Sequence, residues 1–243
     1  MGSPVRLQGV TKRFPNGVEA VRGIDLAFEP GKVTVVLGPS GAGKSTLLRL
    51  INGLESATSG TVSVGGRAVQ PGNLREIRKE VGMVFQQFNL VPRLSVMANV
   101  LCGRLAYRSW VTSLFFTFPD SDFDLAHKAL EQVGLQDRAW DRVDKLSGGQ
   151  QQRVAIARTL VQQADVILAD EPVASLDPAT SEEILHLLVS AARSREATLV
   201  VNLHQVDLAV KHADRIVGVK NGAIIFERNP GEWTEEDHKA LYQ

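Results

Sequence analysis

Lys32-Val33-Thr34-Val35-Val36-Leu37-Gly38-Pro39-Ser40-Gly41-Ala42-Gly43-Lys44-Ser45-Thr46 changes character twice. The first six residues are apolar almost throughout and rich in β-branched side chains, the pattern of a parallel strand covered on both faces. Gly38, Gly41 and Gly43 then break that run. Leu47, Leu48, Ile51 and Leu54 follow at helical spacing, with Gly53 near the helix end. A loop that fits G-x-x-x-x-G-K-[ST] between a strand and a helix is suited to hold phosphate. Its glycines let successive N–H groups curl around the α- and β-phosphates, and the helix N-terminus adds partial positive charge. Lys44 is expected to reach the β- and γ-phosphates, and the Ser45 hydroxyl to ligate Mg2+.

Working outward, residues 5–10, 21–28, 61–64 and 68–69 read as short, partly exposed strands. Residues 166–169 and 198–201 read as buried strands, joined by an amphipathic helix over 181–195 with Ile184, Leu187, Leu188 and Ala191 as its apolar stripe. Strand–helix–strand order implies parallel pairing with right-handed crossovers. Residues 215–219 and 223–226 flank Asn221-Gly222, a strong hairpin signal. Between about 89 and 153 strand signals are few. Ser95 is placed to cap a helix over 96–105, residues 124–133 form an amphipathic helix stopped by Gly134, and Val154, Ala157 and Val161 mark one face of a third. The expected architecture is an α/β nucleotide-binding core over 1–88 and 154–243, with a helical lobe inserted over 89–153.

Three further groups carry chemistry. The apolar strand 166–169 runs into Asp170 and Glu171, and ligands in open α/β sheets bind beyond the carboxyl ends of strands. Asp170 is expected to hold Mg2+, and Glu171 to orient and polarise an attacking water. Leu146-Ser147-Gly148-Gly149-Gln150 precedes a helix expected over 151–160, so Ser147, Gly148 and Gly149 offer a second anion site. One chain cannot easily use two anion sites on one triphosphate, so this site is expected to serve a nucleotide held by a partner copy. His204 follows a buried strand, where a γ-phosphate contact is reasonable, and Gln86, after the strand 81–85, is placed to touch Mg2+ or the water. Alone, a His after a strand or a Ser-Gly turn before a helix is commonplace; these gain meaning from their company.

Lys and Arg total 27 and Asp and Glu total 27, so the formal net charge is zero and no general basic field for nucleic acid exists. Cys102 is the sole cysteine, which excludes an internal disulfide. No apolar run reaches the ~20 residues needed to cross a bilayer, and the first residues lack the basic flank and apolar core of a secretory leader. Any membrane path must come from another polypeptide.

Taken together, the phosphate loop, Gln86, Leu146-Ser147-Gly148-Gly149-Gln150, Asp170-Glu171, Ala174-Ser175-Leu176-Asp177 and His204 resemble the ABC transporter ATPase family in order and approximate spacing, across nearly the whole chain. The resemblance implies a P-loop NTPase (RecA-like) core with an antiparallel β subdomain and an inserted α-helical subdomain. It implies ATP and Mg2+ as ligands, and a head-to-tail homodimer that clamps each ATP between copies. Phe14 falls where the family stacks an aromatic ring on adenine, although tyrosine is commoner there; stacking needs only a π-face. The resemblance further implies peripheral attachment at the cytoplasmic face of the cell membrane, integral permease subunits and an extracytoplasmic solute-binding protein.

A narrower likeness lies in Phe85-Gln86-Gln87-Phe88-Asn89-Leu90 with Arg93-Leu94-Ser95-Val96, which looks like import cassettes for phosphonates and for polar amino acids. An aromatic stretch over 107–122 (Trp110, Phe115, Phe116, Phe118), the run 167–177 and Leu203-His204-Gln205-Val206-Asp207 are similar to the phosphonate/phosphite group. Ala98 stands where members often carry the Glu of a capping box, which weakens that helix start modestly. A polar amino acid importer, an exporter and a non-transport ABC ATPase remain the alternatives, although no coiled-coil or Cys-rich insert of the DNA-repair kind is present.

Overall fold

The computed structural model describes residues 2–243, apart from the Trp110 side chain. Its strands, in chain order, are β1 (Val5–Arg13), β2 (Glu19–Phe28), β3 (Val33–Leu37), β4 (Ser59–Val64), β5 (Arg67–Ala68), β6 (Val81–Val84), β7 (Val166–Asp170), β8 (Thr198–Leu203), β9 (Arg215–Lys220) and β10 (Ala223–Arg228). The α-helices are α1 (Lys44–Ile51), α2 (Leu74–Glu80), α3 (Val96–Leu101), α4 (Trp110–Leu114), α5 (Asp120–Gln132), α6 (Gly148–Val161), α7 (Pro178–Ser194), α8 (Val206–His212) and α9 (Glu235–Tyr242).

The strands form two sheets. A six-stranded sheet runs β10-β9-β3-β8-β7-β6, parallel except for β10, and a four-stranded antiparallel sheet runs β2-β1-β4-β5. β3, β7 and β8 are buried at every position, as their continuous apolar runs require. Their alternate residues feed two cores. Val36, Leu168 and Val200 face α1 (Leu47, Leu48, Ile51) and the apolar face of the antiparallel sheet. Val35, Ala169 and Val201 face the opposite way, toward α7 and the helices between β6 and β7. The Asn221-Gly222 turn holds both residues at positive φ, 52° and 80°, as a primed hairpin turn requires.

Several boundaries differ from the sequence reading. The helix expected over 96–105 is α-helical only to Leu101, then tightens into a 3₁₀ segment, Cys102–Tyr107. Gly103 presses on α6 there: an added Cβ would lie 2.2 Å from the Arg158 carbonyl oxygen. The helix expected to reach Leu54 stops at Ile51, and Leu54 is exposed. α7 starts at Pro178 because Asp177 caps it and proline is favourable in a first turn. α2 buries only Ile77 and leaves almost no periodic signal. In the stretch 107–122, Phe118 packs on the core while Phe115 is 73% exposed, and the Trp110 side chain lies outside the described residues. Among the described residues no helix is long and apolar enough to cross a membrane.

Candidate functional site

The order β3-β8-β7-β6 puts four loops side by side at the carboxyl ends of neighbouring parallel strands. The loop after β3 and the first turn of α1 carry Gly38 to Thr46, the loop after β8 carries His204, that after β7 carries Glu171, and that after β6 carries Gln86.

In the first loop, two glycines are sterically obligatory. A Cβ on Gly38 would stand 2.1 Å from the Val219 carbonyl oxygen, and one on Gly43 would stand 2.1 Å from that of Ala20. Gly43 also caps α1 at φ 102°, a conformation open to glycine. Pro39, Ser40, Gly41 and Ala42 form the turn between them, closed by Ala42 N–H donating to the Pro39 carbonyl at 3.2 Å and by Gly222 N–H donating to that of Ala42 at 3.0 Å. Lys44 is buried and folds back on this loop, donating from Nζ to the carbonyls of Gly38 (2.8 Å) and Pro39 (3.1 Å). Burial pushes its ammonium below the ordinary value, and the Glu171 and Asp170 carboxylates pull it back up. Thr46, next in α1, is half-buried.

The acids stand opposite. Ser45 Oγ donates to Asp170 Oδ1 at 2.8 Å. Glu171 gathers three partners: Gln86 Nε2 donates to its Oε2 at 3.1 Å, His204 Nε2 lies 2.5 Å from its Oε1, and Lys44 Nζ lies 3.9 Å from Oε1. Glu171 has φ 48°, a left-handed conformation that costs a non-glycine residue energy and often marks functional positions. Lys44, Ser45, Gln86, Asp170, Glu171 and His204 therefore converge. The Ser45 hydroxyl, the Asp170 carboxylate and the Gln86 amide are an all-oxygen donor set of the hard kind that Mg2+ takes.

Ser147, Gly148, Gly149 and Gln150 do not join this cluster. They open α6 as a capping box, with Gln150 N–H donating to Ser147 Oγ at 3.4 Å and Ser147 N–H donating to Gln150 Oε1 at 3.1 Å. Ser147 and Gly148 are exposed, so this fourteen-residue helix begins at the surface. Phe14 is half-buried in the β1–β2 turn, with Lys12 Nζ 4.9 Å from its ring centroid. A cavity of about 540 Å³ beside Gly41 is lined by Arg13, Val18, Ala20, Arg22 and Gly222, and Phe14 is not among the lining residues.

Two residues here escaped the sequence reading. Asn202, fully buried in β8, donates from Nδ2 to Asp170 Oδ1 at 2.8 Å. A polar residue inside an apolar strand was the available signal. Tyr242 on α9 donates from its hydroxyl to the His204 carbonyl at 3.2 Å, a contact that no local pattern announces.

The ABC transporter family pattern matches residues 21–174. The chain is 59% identical over 241 residues to a phosphonates import ATP-binding protein, PhnC, of Thiobacillus denitrificans, covering 99% of this chain and 93% of the relative. It is 52% identical over 226 residues to the protein PhnC 2, of the same description, from Trichodesmium erythraeum, covering 93% and 87% of the two chains. Its fold superposes with TM-score 0.82 and 34% identity on a dimeric, post-hydrolysis ATP-binding cassette, MJ0796, bound to ADP and phosphate, covering 93% of this chain and 98% of that one. With its phosphate loop, paired acids and separate Ser-Gly-Gly turn on one continuous match, the chain belongs to the ABC transporter family, as one of its ATPases.

Proposed function

We propose that the chain is the ATP-hydrolysing subunit of an importer for phosphonate-type oxyanions, working as a head-to-tail homodimer peripheral to the membrane. The single observation that carries the chemistry is the convergence of Lys44, Gln86 and His204 on the Glu171 carboxylate. The cargo reading rests on the printed names of relatives 59% and 52% identical.

In this reading the loop from Gly38 to Thr46 receives the triphosphate. Lys44 exchanges the Gly38 and Pro39 carbonyls for β- and γ-phosphate oxygens. Ser45 and Asp170 would hold Mg2+, with Gln86 at its border; bound there, Mg2+ neutralises charge on the β- and γ-phosphates. Glu171 orients a water on the γ-phosphorus and takes its proton as the new P–O bond forms and the bond to the ADP oxygen breaks. His204 and Lys44 hold the charge that gathers on the phosphoryl oxygens. Ser147, Gly148 and Gly149 of a second copy close on the γ-phosphate, excluding water and completing the site. The dimer opens once the γ-phosphate bridge is gone, a two-state element biased by a ligand. Phe14 is assigned the stacking role, for which one face of its ring suffices.

The motion passes to permease subunits through the Gln86 loop and the lobe over 89–153. A groove of about 740 Å³ joins the two, lined by Gln86, Phe88, Leu90, Val143, Asp144 and Ala174. The test is ATPase activity of the chain assembled with its permease and binding protein in liposomes. Stimulation by a phosphonate and not by polar amino acids is expected; stimulation by an amino acid alone contradicts the cargo assignment.

A further inference from the structure

Asn202 interrupts a strand that is otherwise apolar past its first residue and that runs through the middle of the six-stranded sheet. Its side chain is 0% exposed. Register places it directly opposite Asp170. Its Nδ2 donates to Asp170 Oδ1 at 2.8 Å, while its own Oδ1 has no partner. The neighbouring carboxylate fixes that orientation, because a flipped amide would set oxygen against oxygen. Its backbone carbonyl accepts from Glu171 N–H at 3.2 Å. One residue thus touches both acids, by side chain and by main chain.

An orphaned buried acceptor lowers stability, and what offsets it here is the amide's donor bond to the Asp170 carboxylate. What this amide supplies goes to the site and not to the apolar core around it. Ser45 Oγ donates to the same Asp170 Oδ1, also at 2.8 Å. Both side-chain hydrogen bonds to this carboxylate therefore fall on one oxygen, and one of the two donors is the hydroxyl assigned to the metal.

We propose that Asn202 is a positioning residue for the magnesium site: it holds Asp170 in place through Oδ1 when the Ser45 hydroxyl turns away to become a ligand. The inference rests on the assignment of Mg2+ to Ser45 and Asp170. Outer partners of metal ligands commonly change metal affinity by roughly 10- to 100-fold.

The test measures Mn2+ affinity of the full chain by electron paramagnetic resonance, with Mn2+ standing in for Mg2+ and with ADP, which is not hydrolysed, bound throughout. Asn202→Leu is expected to weaken Mn2+ binding about tenfold or more, while ADP affinity in EDTA is unchanged. Asp170→Asn is measured beside it. If Asp170→Asn leaves Mn2+ affinity intact, the metal assignment fails and the inference falls with it. If Asp170→Asn weakens binding and folded Asn202→Leu does not, the inference alone is overturned. Should Asn202→Leu fail to fold, Asn202→Ala, which removes the donor without adding bulk or charge, carries the same expectation, and unchanged Mn2+ affinity there overturns it.

Discussion

His204 Nε2 stands 2.5 Å from Glu171 Oε1, a contact between the ends of two neighbouring parallel strands, β8 and β7. The imidazole is thereby tied to the same carboxylate that Lys44 and Gln86 reach. In the proposed mechanism, removing it leaves the phosphate loop intact and takes away one charge-stabilising group. His204→Ala is expected to lower kcat by roughly 100- to 1,000-fold, the range for losing one charge-stabilising donor, with ATP affinity nearly unchanged. Steady-state ATPase assays paired with calorimetric ATP titration check both halves.

Lys44 spends its ammonium on two loop carbonyls, Gly38 and Pro39, at 2.8 and 3.1 Å. Phosphate oxygens are better partners for a buried cation than carbonyls, because full charge meets full charge. Lys44→Ala is expected to abolish measurable ATP binding in a calorimetric titration. Affinity equal to the parent's would contradict the role given to this side chain.

Asp177 caps α7 by accepting from Thr180 N–H at 3.0 Å. Hydrogen bonds from the Thr180 side chain and backbone hold its carboxyl below the ordinary carboxylate value. A depressed folded value means that stability is present above the unfolded value, about 3.9, and is lost as pH falls through the folded one. Asp177→Ala is expected to lower Tm by about 2–4 °C at neutral pH. The gap between variant and parent closes as pH drops below about 3.9. A gap independent of pH would assign the effect to something other than the ionised cap.

Gly103 leaves no room for a side chain against α6. Because the obstacle is backbone, the Arg158 carbonyl, relief requires shifting a whole helix. Gly103→Ala is expected to cost about 1–3 kcal/mol in denaturant unfolding. An unchanged midpoint would mean that the 3₁₀ segment Cys102–Tyr107 yields freely.

Much of this fold was legible because its signals are local. The apolar run of β3 followed by glycines and Lys44 has one common reading, and the equally continuous runs of β7 and β8 gave the parallel partners. Asn221-Gly222 specified its hairpin by backbone preference alone. What escaped depended on neighbours distant in sequence. Gly103 looks like an ordinary helix interior until α6 is packed against it. Asn202 reads as a blemish in an apolar strand until register sets Asp170 beside it. Tyr242 meets the His204 carbonyl only because α9 folds back onto that end of the sheet. Within the candidate site, the strand order explains the convergence on Glu171, and that order is a tertiary fact. The Ser147 turn was legible as a helix start, and its place apart from the cluster around Glu171 agrees with the expectation that one chain does not use both anion sites on one triphosphate.

In the proposed dimer two copies share each ATP, with Ser147, Gly148 and Gly149 of one facing the phosphate loop of the other. The most direct measurement is sedimentation velocity of Glu171→Gln, which keeps the pocket and loses the carboxylate assigned to water activation. With saturating ATP and Mg2+ the account predicts a stable dimer that dissociates when nucleotide is withdrawn, and turnover far below the parent's. Single protomers under those conditions, in solution and alongside the permease, would contradict it.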